Sequence, residues 1–155
     1  MDKIIIKKAN KNDLKAVQEL NYKLFDFECN NFNLGYNMNW TFSEKGESYF
    51  KGVIEKGTLW IAVDKDNVIG YLAGVIHGKP SYATKTLAEI DNFYIDNQYR
   101  RKGIGKKLVQ EFKNYCISQG IEEIKVTALN KNLNARNFYE NCGFEEFEVT
   151  YKMKL

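Results

Sequence analysis

Two long stretches of the chain carry hydrophobic residues at the spacing of a helix that buries one face. The first follows a polar capping signal at residues 10–13, and the second follows a glycine turn and ends at Gly120. The repeated positions are Leu14, Val17, Leu20 and Leu24 in the first helix and Ile104, Leu108, Phe112 and Cys116 in the second. Shorter helices are predicted at about 47–55 and 133–141. The rest of 26–48 is aromatic and asparagine-rich, which indicates a loop.

Shorter apolar runs between these helices predict strands. The runs lie at residues 4–9, 59–63, 68–76, 87–95, 124–129 and 144–153. The second and third runs flank the polar turn 64–67, which indicates a hairpin. The order of elements predicts a mixed α/β domain in which a strand–helix–strand crossover is built around the glycine turn.

Composition narrows the class of protein. The chain has 155 residues, of which 44% are hydrophobic, so we expect one domain over residues 1–155 with a single core. The net charge of only +3 argues against a nucleic-acid partner. Three cysteines without CxxC spacing and a single histidine argue against a metal site and favour a reducing compartment. Neither a signal peptide nor a membrane span is apparent, so we expect a cytoplasmic protein with no membrane partner.

The segment Ile90–Leu108 reads IDNFYIDNQYRRKGIGKKL and leads from a strand through a basic glycine turn into a helix. Backbone N–H groups and the positive end of the helix dipole converge at such a turn, which suits a pyrophosphate. A P-loop is excluded because the spacing of the glycines is wrong and no Ser or Thr follows Gly-Lys. The dinucleotide fingerprint is excluded because Leu108 replaces its third glycine. From this segment alone, a purely structural turn and a nucleic-acid patch stay open.

A second segment, at residues 132–144, reads NLNARNFYENCGF and follows the next strand. Together the two segments resemble the GNAT superfamily of acetyl-CoA-dependent N-acetyltransferases. The first is similar to the superfamily's Q/R-x-x-G-x-G/A cofactor motif, and the second is similar to its N-x-x-A-x-x-F-Y-x-x-x-G-F segment. The matching positions are Arg100, Gly103, Gly105, Asn132, Ala135, Phe138, Tyr139, Gly143 and Phe144.

The resemblance implies the acyl-CoA N-acyltransferase fold, a central mixed sheet with two splayed parallel strands and flanking helices. Acetyl-CoA would be the co-substrate, and no metal is implied. The pantetheine arm would pair with the strand before the glycine turn, and the pyrophosphate would lie on the amides of the turn. The implied cofactor-binding residues are Phe93, Tyr94, Ile95, Arg100, Arg101, Lys102, Gly103, Ile104, Gly105, Lys106 and Asn132. Asn132 either helps to hold the cofactor or caps its helix.

The implied reaction is direct attack of a primary amine on the thioester in a ternary complex. A protonated amine must first lose a proton, which calls for a general base. Glu89 is the predicted base, because histone-acetylating members of the superfamily carry a glutamate at this place on the cofactor strand. Asp91 is the alternative, nominally on the same strand face unless a bulge intervenes. Tyr139 is the predicted general acid, which protonates the departing thiolate.

The resemblance does not identify the acceptor. The resemblance implies that the first helices and neighbouring loops shape the acceptor site, here residues 26–49 with the loop around 79–85. Carboxylates in 26–49 lie among aromatic residues, a combination that suits a cation. A polyamine, an aminoglycoside, a lysine-like amine and a peptide or protein amine all stay open, and a homodimer is an option. The alternative function is a non-catalytic sensor of the same fold that binds a CoA thioester.

Overall fold

The computed structural model describes residues 3–155 of the chain. Its strands are β1 (Ile5–Lys8), β2 (Leu59–Asp64), β3 (Asn67–Gly78), β4 (Leu87–Ile95) and β5 (Glu123–Val126). Its α-helices are α1 (Leu14–Phe32), α2 (Glu44–Glu55), α3 (Ile104–Ser118) and α4 (Leu133–Asn141). Short 3-10 helices occupy Lys11–Asp13, Met38–Phe42 and Asn97–Tyr99.

The five strands form one mixed sheet in the order β1-β2-β3-β4-β5. The first four pair antiparallel with their neighbours, and β2 and β3 form the predicted hairpin. The last pair, β4 and β5, is parallel, and α3 makes the crossover between them. The predicted mixed α/β architecture is therefore confirmed, with the glycine turn at the start of the crossover helix.

Hydrophobic side chains cover both faces of the sheet. On one face Leu108 and Phe112 of α3 are fully buried in a cluster with strand residues. On the other face Val17 of α1 and Phe50 of α2 are fully buried in a second cluster. The helical spacing of hydrophobic residues in α1 and α3 thus reflects their burial against opposite faces of the same sheet.

The structure differs from the prediction in the segment between the first two helices. Helix α1 continues to Phe32, and a 3-10 helix at Met38–Phe42 follows, where a loop was expected. Asn33 ends α1 in the left-handed conformation, with φ of 54°. Aromatic contacts hold this region together, such as Phe25 with Tyr36 at 4.8 Å between ring centroids, and hydrophobic spacing does not detect such contacts.

The predicted final strand at residues 144–153 was wrong. In the structure the described residues 144–155 form no strand, and most of their side chains are exposed. The alternation of apolar residues is real, but a strand also needs a hydrogen-bonded neighbour, and within residues 3–155 the segment has none. The preceding strand is also shorter than predicted and ends at Val126.

Among residues 3–155, no helix is both long enough and apolar enough to cross a membrane.

Candidate active site

A cleft of about 850 Å³ opens where the two parallel strands separate. Pairing between β4 and β5 ends at Ile90 and Val126, while β4 continues to Ile95. The far side of the cleft is lined by Val126 and the three residues that follow it. Because the strands diverge there, the end of β4 presents a backbone edge to the cleft that an extended ligand can pair with.

The glycine turn lies at one end of this cleft. Arg101 and Gly103 have φ of 61° and 76°, so the chain passes twice through the left-handed region. Within residues 3–155, no side chain caps the first amides of α3, and Gly103 is the N-cap residue. Uncapped amides in such a turn, at the positive end of a helix dipole, form a concave site for an anion.

The two glycines of the motif serve different purposes. Gly103 has a positive φ, a backbone conformation that favours glycine. Crowding is not the reason for glycine at this position, because nothing lies within 4 Å of a Cβ built there. Gly105 has an ordinary helical backbone, but a Cβ would lie 3.0 Å from the Phe138 ring and 3.1 Å from Cδ1 of Ile95. Gly105 therefore lets the start of α3 lie close to α4 and to the end of β4.

Arg100 fixes the turn to the strand before it. Its Nε donates a hydrogen bond to the Ile95 carbonyl at 2.9 Å. The guanidinium also lies over the rings of Phe27 and Tyr94, with Cζ 5.3 and 5.2 Å from the ring centroids. The charged group thus joins α1, β4 and the turn, and it lines the cleft.

Ten of the eleven predicted cofactor-binding residues line this cleft. They are Phe93, Tyr94, Ile95, Arg100, Arg101, Gly103, Ile104, Gly105, Lys106 and Asn132. Lys102 is not in the lining, and its Nζ lies over the Tyr99 ring, 5.4 Å from the centroid. Asn132 accepts a hydrogen bond from the Ala135 amide at 3.1 Å, so it caps α4 while it lines the cleft. An open strand edge beside an uncapped anion site fits a long ligand with a pyrophosphate, as CoA has.

A β-bulge separates the two candidate bases. Ala73 pairs with Asn92 and Gly74 pairs with Ile90, so Asp91 is the extra residue of the bulge. A bulge resets the alternation of side chains along a strand and redirects the extra residue. Glu89 and Asp91 are therefore not related by simple alternation, and their side chains have different neighbours.

Glu89 is held by basic side chains outside the cleft lining. Its carboxylate lies 2.9 Å from His77 Nε2 and 3.6 Å from Lys125 Nζ. Asp91, in contrast, lines the cleft and accepts a hydrogen bond from the Tyr49 hydroxyl. The structure thus brings Asp91, and not Glu89, together with the predicted cofactor-binding residues. The assignment of the base remains a prediction.

Tyr139 lines the same cleft from α4. Its ring packs between Phe138 and Phe144, at 5.3 and 5.8 Å between centroids. Burial raises the pKa of the Tyr139 phenol, with smaller contributions from Cys142 and Glu28. The phenol therefore stays protonated at neutral pH, as a proton donor must.

A smaller cavity of about 380 Å³ adjoins the cleft between α1, α2 and the bulge. The two cavities share Phe25, Tyr36, Asp91 and Asn92. The rest of the smaller cavity's lining is Gly35, Asn37, Trp40 and Tyr49. Four aromatic rings and one carboxylate thus surround a space of small-molecule size, an environment that suits an organic cation.

Glu28 adds a second carboxylate where the two cavities meet, since it lines the cleft beside Tyr36. Burial raises the pKa of Glu28, and a hydrogen bond with Tyr36 opposes that rise. Of the carboxylates in the range predicted to shape the acceptor site, Glu28 lines the cleft, whereas Asp26, Glu44 and Glu47 line neither of these two cavities.

Sequence reasoning missed Asn92 of the smaller cavity, whereas Tyr49 lies at the end of the range 26–49 predicted to shape the acceptor site. Asn92 belongs to a buried polar network with Asn21, Tyr71 and Thr41. Two adjacent polar residues, Asp91 and Asn92, interrupt the alternation of β4 and were the available signal for this network. No comparable signal indicated the contact of Tyr49 with Asp91, because Tyr49 lies on α2 far along the chain from the bulge.

Over the described chain, residues 3–155, no group of three or more His, Cys, Asp or Glu side chains is arranged to hold a metal ion.

Comparison with known proteins identifies related chains. Residues 21–144 match the sequence profile of the acetyltransferase (GNAT) family. N-acetyltransferase 8B from Homo sapiens is 28% identical over 56% of this chain and 38% of its own length. L-ornithine N5-acetyltransferase NATA1 from Arabidopsis thaliana is 32% identical over 44% of this chain and 30% of its own length. The chain thus matches well under half of the length of these two relatives.

The fold has close counterparts among solved structures. Aminoglycoside N-acetyltransferase AAC(6')-Iy, solved in complex with CoA, superimposes with a TM-score of 0.79 at 15% identity. The match covers all of this chain and 96% of that structure. The family profile covers most of the chain, including both cavities and the glycine turn, and the chain therefore belongs to the acetyltransferase (GNAT) family.

Proposed function

We propose that this protein is an N-acetyltransferase that moves an acetyl group from acetyl-CoA to the primary amine of a small cationic acceptor. The observation that carries the proposal is the junction of the two cavities. Asp91 and Asn92 line both the cleft that ends at the glycine turn and the smaller aromatic cavity. Two ligands that fill these cavities would meet at the β4 bulge.

The larger cleft suits acetyl-CoA. The amides at the start of α3 would bind the pyrophosphate, and Phe93–Ile95 would pair with the pantetheine arm through their backbone. Each charge-assisted N–H contact contributes about 1.5–3 kcal/mol. Acetyl-CoA, when bound, supplies the acetyl group as a thioester. The relative AAC(6')-Iy was solved with CoA, which supports this choice of ligand.

The smaller cavity suits an amine with a positive charge. Asp91 and Glu28 provide negative charge, and the rings of Trp40 and Tyr49, 5.7 Å apart between centroids, provide π faces for a cation. Two relatives carry names that specify amine acceptors, ornithine for NATA1 and aminoglycosides for AAC(6')-Iy. These names support a polyamine-like or amino-sugar acceptor here.

The acceptor must become a neutral amine before it attacks. An alkylamine of pKa ~10.4 needs about 4–5 kcal/mol to reach its neutral form at pH 7. Asp91 is the carboxylate placed to accept that proton, directly or through water, because it is the one that lines both cavities. Glu89 remains the alternative, and its ion pairs with His77 and Lys125 compete with such a role.

Tyr139 would complete the transfer as the general acid. The amine nitrogen forms a bond to the acetyl carbon, the carbon–sulfur bond breaks, and the sulfur leaves with the bonding electrons. The Tyr139 phenol, which its surroundings keep protonated, donates a proton to that sulfur. The nitrogen, positively charged after it bonds to carbon, loses its second proton, and that proton restores the phenol. The products are an N-acetylated amine and free CoA.

The test is a panel of amines offered with acetyl-CoA, with free thiol as the readout. Putrescine, spermidine, ornithine and an aminoglycoside should release thiol, whereas a neutral diol of putrescine's length should not. Saturable release with a cationic amine supports the proposal. If no amine releases thiol while acetyl-CoA still raises the melting temperature, the protein is a CoA-thioester sensor and the proposed activity is wrong.

A further inference from the structure

Asn92 lies at the end of a chain of buried hydrogen bonds that begins at Thr41. The Thr41 hydroxyl donates to Asn21 Oδ1 at 2.6 Å. Asn21 Nδ2 donates to the Tyr71 hydroxyl and to Asn92 Oδ1, at 3.1 Å in each case. The Tyr71 hydroxyl donates to the same oxygen of Asn92. Asn92 Oδ1 therefore accepts two hydrogen bonds from the protein.

The direction of this chain of hydrogen bonds is fixed at Thr41. Thr41 and Asn21 are fully buried, and among residues 3–155 the Thr41 hydroxyl has Asn21 as its only hydrogen-bond partner. A reversed Asn21 amide would turn its Nδ2 toward Thr41, and the buried hydroxyl proton would have no acceptor. A buried donor without an acceptor is costly. Asn21 therefore presents its Nδ2 to Asn92, and Asn92 presents its Oδ1 in return.

The amide nitrogen of Asn92 is left for a ligand. Asn92 lines both the cleft and the smaller cavity, and no hydrogen bond among residues 3–155 uses its Nδ2. Over the same range, Asp64 Oδ1 is the only buried side-chain polar atom without a partner, so Asn92 Nδ2 is accessible. A fixed N–H donor thus lies next to Asp91, at the junction of the two cavities.

We propose that Asn92 selects acceptors that carry an oxygen close to the reacting amine, as an amino sugar does. This inference rests on the proposed function. The oxygen would accept a hydrogen bond from Asn92 Nδ2 while Asp91 accepts one from the amine. Because Asp91 and Asn92 are adjacent in the chain, the two groups that they bind lie close together on the acceptor. An ether, hydroxyl or carbonyl oxygen two carbons from the amine has this arrangement.

A plain polyamine offers Asn92 Nδ2 no hydrogen-bond acceptor. At neutral pH its nitrogens are ammonium groups, which donate N–H and have no free lone pair. The methylenes between them have no polar atom. When such an amine displaces water from Asn92, the amide donor loses its partner. A site that hydrogen-bonds one group of a substrate discriminates for this reason against the analogue that lacks the group.

A matched pair of diamines tests this selection. Bis(2-aminoethyl) ether and 1,5-diaminopentane have the same length and the same two amines, and they differ by an ether oxygen in place of one methylene. The quotient of kcat/KM for the ether over kcat/KM for the alkane is measured by thiol release with acetyl-CoA. The ether oxygen also lowers the pKa of the free diamine. That effect is the same for every variant, so it cancels when quotients are compared.

Asn92→Asp keeps the oxygen that accepts from Asn21 and Tyr71 and replaces the N–H donor with a second oxygen. The quotient should fall about tenfold, because an oxygen of residue 92 then faces the ether oxygen and one hydrogen bond is lost. Asn37→Asp is the control. Asn37 lines the smaller cavity, and its Oδ1 accepts from the Asn39 amide, as a carboxylate also does. It gains the same charge without the buried network, so its quotient should match that of the wild type.

A fall of the quotient in Asn92→Asp alone supports the inference. If Asn92→Asp loses turnover, calorimetric titration of the CoA-bound proteins with both diamines gives the quotient as a ratio of affinities. An unchanged quotient, or an equal fall in both variants, would overturn the inference while thiol release by the wild type leaves the proposed activity standing. If the wild type releases no thiol with either diamine, the proposed function is wrong and this inference falls with it.

Discussion

The hydroxyl of Tyr49 donates a hydrogen bond to Oδ2 of Asp91, with 2.5 Å between the oxygens. This contact joins α2 to the bulge of β4 and orients the carboxylate that lines both cavities. In the proposed function, Asp91 Oδ1 accepts the N–H group of the acceptor amine. The same bulge leaves Glu89 with His77 and Lys125, so the two carboxylates have different partners although only one residue separates them.

Replacing Asp91 with Asn should lower kcat/KM for a cationic amine by about 10²–10⁴-fold, because a general base is lost. Recovery at high pH is expected, since the free amine then forms without help. The matched variant Glu89→Gln should lose far less, because its carboxylate is occupied by basic neighbours. Thiol release is measured as a function of pH for both variants. If Glu89→Gln shows the larger loss, Glu89 is the base and the assignment to Asp91 is wrong.

Substitutions at the two glycines of the turn should weaken CoA binding for different reasons. Gly103→Ala places a side chain at φ of 76°, which costs about 1–2 kcal/mol. Gly105→Val forces the start of α3 away from the Phe138 ring and Ile95. Lys107→Ala is the control, because that side chain is exposed. Calorimetric titration with CoA should show weaker binding for both glycine variants. Equal affinity in all three would contradict a cofactor site at this turn.

Tyr139→Phe should lower kcat and leave the affinity for CoA nearly unchanged, because only the phenol hydroxyl is removed from a ring held by Phe138 and Phe144. Burial raises the pKa of Tyr139, so the wild-type rate should not fall at alkaline pH where an ordinary tyrosine of pKa ~10 ionises. Stopped-flow thiol release measures the chemical step. An unchanged rate in the variant would remove Tyr139 from the mechanism.

The half-buried carboxyl of Glu28 should make stability depend on pH. Its pKa is raised above the ordinary 4.5 by burial, so the folded state disfavours the charged form. The neutral Glu28 carboxyl therefore makes its full contribution to stability below pH 4.5. That contribution is lost as pH rises through the folded-state pKa and the carboxyl ionises. Glu28→Gln should raise the urea midpoint at pH 7 and leave it unchanged at pH 4. The exposed Glu19→Gln is the control, and an equal shift at both pH values would contradict this account.

Sequence alone predicted the parts of the fold that local pattern determines. Helix α3, strand β4 and the hairpin followed from hydrophobic spacing and turn residues, and α4 matched its predicted bounds. The final strand failed because pairing depends on a neighbour, which periodicity in one chain does not reveal. The extension of α1 to Phe32 was missed because contacts between aromatic side chains, rather than hydrophobic spacing, organise that region.

The cofactor side of the site was easier to predict than the acceptor side. The glycine turn is a contiguous motif, and ten of the eleven predicted cofactor-binding residues line one cleft. The acceptor cavity joins α1, α2 and the β4 bulge, so its residues are scattered along the chain. Tyr49 and Asp91, 42 positions apart, meet only after folding, and the bulge that separates Asp91 from Glu89 depends on the pairing with β3.

Amide hydrogen exchange with and without acetyl-CoA tests the central claim that the splayed strands and the glycine turn form the CoA site. The account predicts strong protection of the amides of residues 93–95 and 103–106 on addition of the ligand. The amides of β1, at the far edge of the sheet, should exchange as before. Unchanged exchange at the turn under saturating acetyl-CoA, or protection confined to another part of the chain, would contradict it.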